Sequence, residues 1–234
     1  MTSIKGHAVD AGHHAGMTVM AELLIKEVRI PPLKLPGTLR LPAGARVLVV
    51  FAHGSGSSRL SPRNIAVAEA LAQQGMATLL FDLLTPEEES DRANVFDIAL
   101  LAKRVVDAVR WLEANDLTRT LRFGLFGAST GAAAALVAAA KLGPRVKAVV
   151  SRGGRPDLAG DALEQVMAPT LLIVGGADDV VLVLNRRALA RLKGEKALEI
   201  VPGATHLFPE KGALEAVIGH AARWFRHHVV EDKQ

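Results

Sequence analysis

LRFGLFGASTGAAAAL, residues 121–136, joins two kinds of sequence at one tight turn. Its first six residues form a short apolar run of strand length. From Ala132 onward it is rich in alanine, the strongest helix former. Between them stands Gly127-Ala128-Ser129-Thr130-Gly131, a G-x-S-x-G pattern at a strand-to-helix junction. A serine on so sharp a turn is expected to hold a strained backbone, with its hydroxyl lifted above the sheet edge. The flanking glycines let neighbouring backbone pass close by. The Thr130 N–H, at the new helix's start, would face the negative charge that develops when Ser129 Oγ attacks a carbonyl. A Gly-rich turn without chemistry is the alternative, so the rest of the chain must supply a base, an acid and a second N–H donor.

Outward from this turn, the chain of 234 residues suits one α/β domain. Hydrophobic residues make up 50% and aromatics only 4%, with no Tyr, so Val, Leu, Ile and Ala must fill the core. Repeated strand-helix alternation predicts a mostly parallel sheet flanked by helices on both faces. Residues 1–20, rich in Gly, His and Ala without a hydrophobic period, read as a flexible leader before a single domain over 21–234. His7, His13 and His14 lie in that leader and read as a tail; no metal and no cofactor is expected. The net charge is +4, but Lys and Arg are spread along the chain, which argues against a nucleic-acid partner. The absence of Cys excludes disulfides, a thiol nucleophile and thiolate metal sites. No apolar run reaches membrane-spanning length, and the N-terminus lacks a signal-peptide core, so a cytoplasmic protein with no membrane partner is expected.

In chain order, 28–30 and 33–41 predict two edge strands joined by a Pro turn. Residues 46–52 predict a buried strand ending in the flexible loop His53-Gly54-Ser55-Gly56-Ser57-Ser58. A helix is predicted over 64–74, a strand over 76–84, and a surface loop or helix entry over 85–94. Residues 95–114 carry apolar side chains at helical spacing and predict one long amphipathic helix. Further strands are predicted over 146–151, 170–174 and 197–201, with helices over 181–192 and 213–228.

A serine hydroxyl needs a general base within hydrogen-bond reach, and a histidine base needs a carboxylate to fix its tautomer. In a parallel sheet, sites form at the carboxyl ends of the strands. Asp178 and His206 each follow such a strand in a Gly-containing loop. The order Ser129, Asp178, His206 is the one this architecture uses. Asp178 is preferred to Asp179, and the remaining histidines lie in the leader or the closing helix. Ser55, or alternatively Gly56, is placed to give the second oxyanion N–H. His53 and Asp82 read as braces of neighbouring loops. Arg59 and Arg63 follow the loop after residues 46–52, and Arg152 and Arg155 follow a strand end; some could meet a carboxylate or phosphate on the substrate, the alternative being solvated charges or loop braces.

With HGSGSS at 53–58, SPRN at 61–64, GASTG at 127–131, GGADD at 175–179 and PGATHLF at 202–208, the sequence resembles the α/β-hydrolase superfamily and, within it, the dienelactone-hydrolase-related group. The resemblance spans about residues 28–229. It implies an α/β-hydrolase fold, Ser129 as nucleophile, His206 as base, Asp178 as its partner, and the Ser55 and Thr130 amides as oxyanion hole. Dienelactone hydrolases proper use a cysteine nucleophile, which this chain lacks, so a serine esterase acting on a small-molecule ester is expected. A thioesterase, amidase or acyltransferase with the same three residues, or a non-catalytic binding protein, are the alternatives. The short 85–94 segment leaves no room for a large lid.

Overall fold

The structure, a computed structural model, describes residues 22–230; the expected leader over 1–20 lies outside them. Eight strands form one sheet in the order β1-β2-β4-β3-β5-β6-β7-β8. The edge pair β1 (Leu23–Ile30) and β2 (Leu35–Pro42) is antiparallel, and β2 runs antiparallel to β4 (Ala77–Phe81). From β4 onward the neighbours are parallel: β3 (Val47–Ala52), β5 (Arg122–Ala128), β6 (Val146–Arg152), β7 (Thr170–Gly175) and β8 (Lys196–Val201). After β3 the chain pairs β4 on one side, then returns to add β5 on the other. That reversal opens a crevice at the carboxyl ends of β3 and β5, where ligands bind in such sheets.

Because strand side chains alternate, each inner strand feeds two cores. Phe123 and Leu125 of β5 join one cluster with the buried faces of α4 (Ile98–Glu113) and α5 (Thr130–Leu142). Phe126 joins the other with α1 (Pro62–Gln73) and α7 (Ala213–Phe225). Gly124 is required on that face because the Phe225 ring occupies the space of a side chain; an added Cβ would lie 2.7 Å from it. With few aromatics available, small side chains close the gap: Ala132 to Ala135 of α5 are fully buried against the sheet. This packing density is the main source of stability.

The helix expected over 95–114 is broken. Asp97 takes a non-helical backbone (φ −75°, ψ 89°) and its carboxylate accepts the Leu100 N–H at 2.9 Å. The side chain caps a new helix, α4, instead of continuing an old one. Val95 and Phe96 fall in the short α3 (Arg92–Phe96), preceded by α2 (Pro86–Glu89) with a capping box between Thr85 and Glu88. The segment lies on α4 through a 2.6 Å bond from Arg104 to Glu88. The α6 helix (Asp179–Arg191) starts two residues earlier than expected. The closing helix ends at Phe225 and continues as a wider turn over Arg226–Val230. Among the described residues no helix is long and apolar enough to cross a membrane.

Candidate active site

Ser129 stands between β5 and α5 with φ 51° and ψ −124°, a conformation that costs a non-glycine residue on the order of 1–3 kcal/mol. Neighbouring backbone enforces it. The Ser129 N–H donates to the Arg152 carbonyl at 3.3 Å, and the Ser129 carbonyl accepts the Arg155 N–H at 3.0 Å. The two glycines of the motif are where chains touch. A Cβ on Gly131 would sit 2.2 Å from the Ala52 carbonyl oxygen, and one on Gly127 2.4 Å from Ala132 Cα. The Ser129 hydroxyl itself makes no hydrogen bond with a described residue.

Asp178 and His206 meet although 28 residues apart: His206 Nδ1 lies 2.7 Å from Asp178 Oδ2. Their loops are joined by backbone, with the Ala177 N–H donating to the Ala204 carbonyl at 2.9 Å and the Gly176 N–H to Val201 at 2.8 Å. Gly175 permits the approach; a Cβ there would lie 2.3 Å from the Ala204 oxygen. The Asp178 side chain is 15% exposed and that of His206 38%. The carboxylate is thus shielded while the imidazole is partly open to solvent. Asp179 contributes no bond to His206. Gly153, after β6, packs against the histidine: its φ is 51°, and a Cβ would meet the His206 carbonyl oxygen at 2.9 Å.

The loop after β3 is held from several sides. His53 Nε2 accepts the Leu83 N–H at 3.1 Å, so Nδ1 carries the proton and donates to the Gly54 carbonyl at 3.0 Å. Burial lowers its pKa and keeps the ring neutral. Asp82 accepts the Arg59 N–H at 2.7 Å. The Ser55 N–H does not stand free: it donates to Thr130 Oγ1 at 2.8 Å. The Gly56 N–H has no acceptor among the described residues. That the Thr130 hydroxyl would accept the Ser55 N–H has no signal in the sequence, where a residue after the serine reads only as a backbone donor. An apolar cavity lined by Pro36, Leu83, Leu84, Val95 and Leu101 opens beside this loop, adjoining Ser129 without including it.

The arginines separate into two groups. The Arg59 guanidinium lies 3.8 Å from both Asp82 and Glu27, and that of Arg155 bonds Asp157 at 2.8 Å; both brace loops. Arg63 and Arg152 have no carboxylate partner among the described residues. Away from the site, Glu195, His227 and His228 bring potential metal-ligand atoms within 4.8 Å of one another. They precede β8 and follow α7, at the amino ends of the parallel strands, whereas Ser129 lies at a carboxyl end.

A mostly parallel sheet with a strained serine after its central strand and an Asp–His pair on later loops defines the α/β-hydrolase class of fold. The family model of the dienelactone hydrolase family matches residues 35–227, and the chain belongs to that family. It is 55% identical to the crystal structure of a dienelactone hydrolase from Anabaena variabilis, with a TM-score of 0.85 over 90% of this chain and 99% of the other. Two Mycobacterium tuberculosis proteins provisionally named phosphoribosyl transferase are 62% identical over 198 residues, covering 85% of this chain but 45% of theirs. The chain thus spans about half the length of these relatives. A lidless serine hydrolase from Xanthomonas campestris shares the fold at 21% identity, with a TM-score of 0.72 over 90% of this chain and 97% of the other.

Proposed function

We propose that the chain is a serine esterase that cleaves small carboxylic esters through an acyl-enzyme. Ser129 Oγ attacks the ester carbonyl as His206 Nε2 takes its proton. Asp178, bonded to Nδ1, fixes the tautomer and stabilises the imidazolium. The Thr130 N–H and the Gly56 N–H hold the oxyanion, Gly56 taking the place expected for Ser55, whose N–H is engaged by Thr130 Oγ1. Because Ser55 already donates to Thr130 Oγ1, the threonine hydroxyl proton remains free to turn toward the same oxygen. The protonated His206 then gives its proton to the leaving alcohol. Water, activated by the same imidazole, attacks the acyl carbon and releases the acid and free Ser129.

The observation that carries this reading is the 2.7 Å contact between His206 and a shielded Asp178, at the sheet edge that presents a strained, unengaged serine. A hydroxyl bonded to no neighbour is available to a base that moves by a rotamer, and such bonds commonly tighten only when substrate is bound. The activity named for the mycobacterial relatives belongs to proteins of which this chain spans less than half. The test is covalent labelling by a fluorophosphonate, together with p-nitrophenyl acetate hydrolysis. Labelling at residue 129 is expected, and Ser129→Ala and His206→Ala should each lose about 10³-fold or more in kcat/KM. Equal rates in all three proteins would remove the assignment.

A further inference from the structure

Of the well-buried arginines, Arg40 and Arg104 each face a glutamate, at 3.5 and 2.6 Å. Arg152 does not. It is 6% exposed, and its one side-chain bond is from an Nη to the Asn64 Oδ1 at 3.2 Å. Its Nε is buried without a partner, as is that of Arg63; Arg40 and Arg104 also have an unpartnered Nε, but each has a glutamate beside it, which Arg63 and Arg152 lack. Arg63 adds a second positive charge close enough, together with burial as the larger cause, to push the Arg152 pKa down to about 10. Two guanidiniums in contact with each other's field and with no carboxylate are costly in an empty protein. An anion would offset that cost.

The place of this pair matters. Arg152 ends β6, its carbonyl accepts the Ser129 N–H, and the next residue, Gly153, packs on His206. Arg63 and Asn64 lie in the first turn of α1, a helix of 12 residues whose N-terminus adds partial positive charge. We propose that Arg63 and Arg152 bind a phosphate dianion carried by the substrate, next to the ester held at Ser129. This rests on the esterase reading above. Phosphate is chosen over carboxylate by charge: a phosphate monoester carries close to two negative charges at neutral pH, matching two unpaired guanidiniums. Its three oxygens accept from two planar donor groups at once.

The test uses the full chain in two arms. Calorimetric titration compares inorganic phosphate with acetate, and kinetics compare p-nitrophenyl phosphonoacetate with p-nitrophenyl acetate. Phosphate is expected to bind at least about tenfold more tightly than acetate, and the phosphonate ester to be preferred by a similar factor in kcat/KM, roughly the worth of one charge-assisted contact. Arg63→Gln and Arg152→Gln should bring the preference ratio close to one, with Arg152→Lys keeping part of it. Arg63 is only partly buried, so its variant carries the test should the Arg152 variants fail to fold. Equal binding of acetate, or a preference unchanged in Arg63→Gln, would overturn the proposal. Fluorophosphonate labelling of the wild type separates the two ideas: labelling without phosphate preference removes only the anion site. Phosphate binding lost in Arg63→Gln without labelling removes only the esterase.

Discussion

The two flanks of Ser129 treat charge in opposite ways. On the β3–β4 flank the charged groups near the loop have opposite partners: His53 uses both ring nitrogens, and Asp82 takes the Arg59 backbone and lies 3.8 Å from its guanidinium. On the β6–α1 flank, Arg63 and Arg152 have no carboxylate within ion-pair distance among the described residues, and each keeps a buried Nε without a partner. A matched network fixes the position of a loop, whereas an unmatched one stores a preference for something still to arrive. The first flank therefore reads as scaffold for the oxyanion loop and the second as a receiving surface.

The strongest attack on this contrast is at the second flank's glycine. Gly153→Ala forces a side chain onto φ 51° and against the His206 carbonyl oxygen. A displacement of the base by a few tenths of an ångström to 1 Å should lower kcat by about 10²-fold, measured with p-nitrophenyl acetate, while the fold persists by circular dichroism. A smaller effect is expected on the first flank. Asp82→Ala leaves the Arg59 N–H and guanidinium without their acceptor and should cost about 1–3 kcal/mol of stability in urea unfolding; an unchanged midpoint would mean that the network does not hold the loop. Arg152→Met should do the reverse of a usual core charge deletion. With no ion pair to break, stability should stay within about 1 kcal/mol of wild type or rise, and a large loss would erase the difference between the flanks. The least effect concerns pH. His53 titrates below its unfolded value of 6.5 because burial disfavours the charged ring. The unfolded chain then binds the extra proton first, so its contribution is complete above about pH 6.5 and falls as pH drops toward the folded pKa. Melting scans from pH 8 to 5 should show a shallower decline in His53→Gln.

Much of the frame was legible because it rests on local chemistry. Strand-length apolar runs, the glycines of the serine turn and the position of Asp178 and His206 after later strands all carry signals of their own. What was not legible depends on competition between neighbours. The break at Asp97 interrupts a good amphipathic pattern, since one carboxylate can cap as readily as it can sit on a helix face. The expected group of substrate arginines divided only once Asp82, Glu27 and Asp157 were seen beside two of them. The diversion of the Ser55 N–H to Thr130 spans 75 residues, and no local pattern encodes it.

The stitching of the Asp178 loop to the His206 loop has one more consequence. Because backbone bonds between 176–177 and 201–204 hold these loops together without help from the β4–α4 segment, the Asp178–His206 pair is a self-contained module. On the esterase proposal, a chain with a different α2 and α3, and so a different wall to the neighbouring cavity, would keep its imidazole aimed as before.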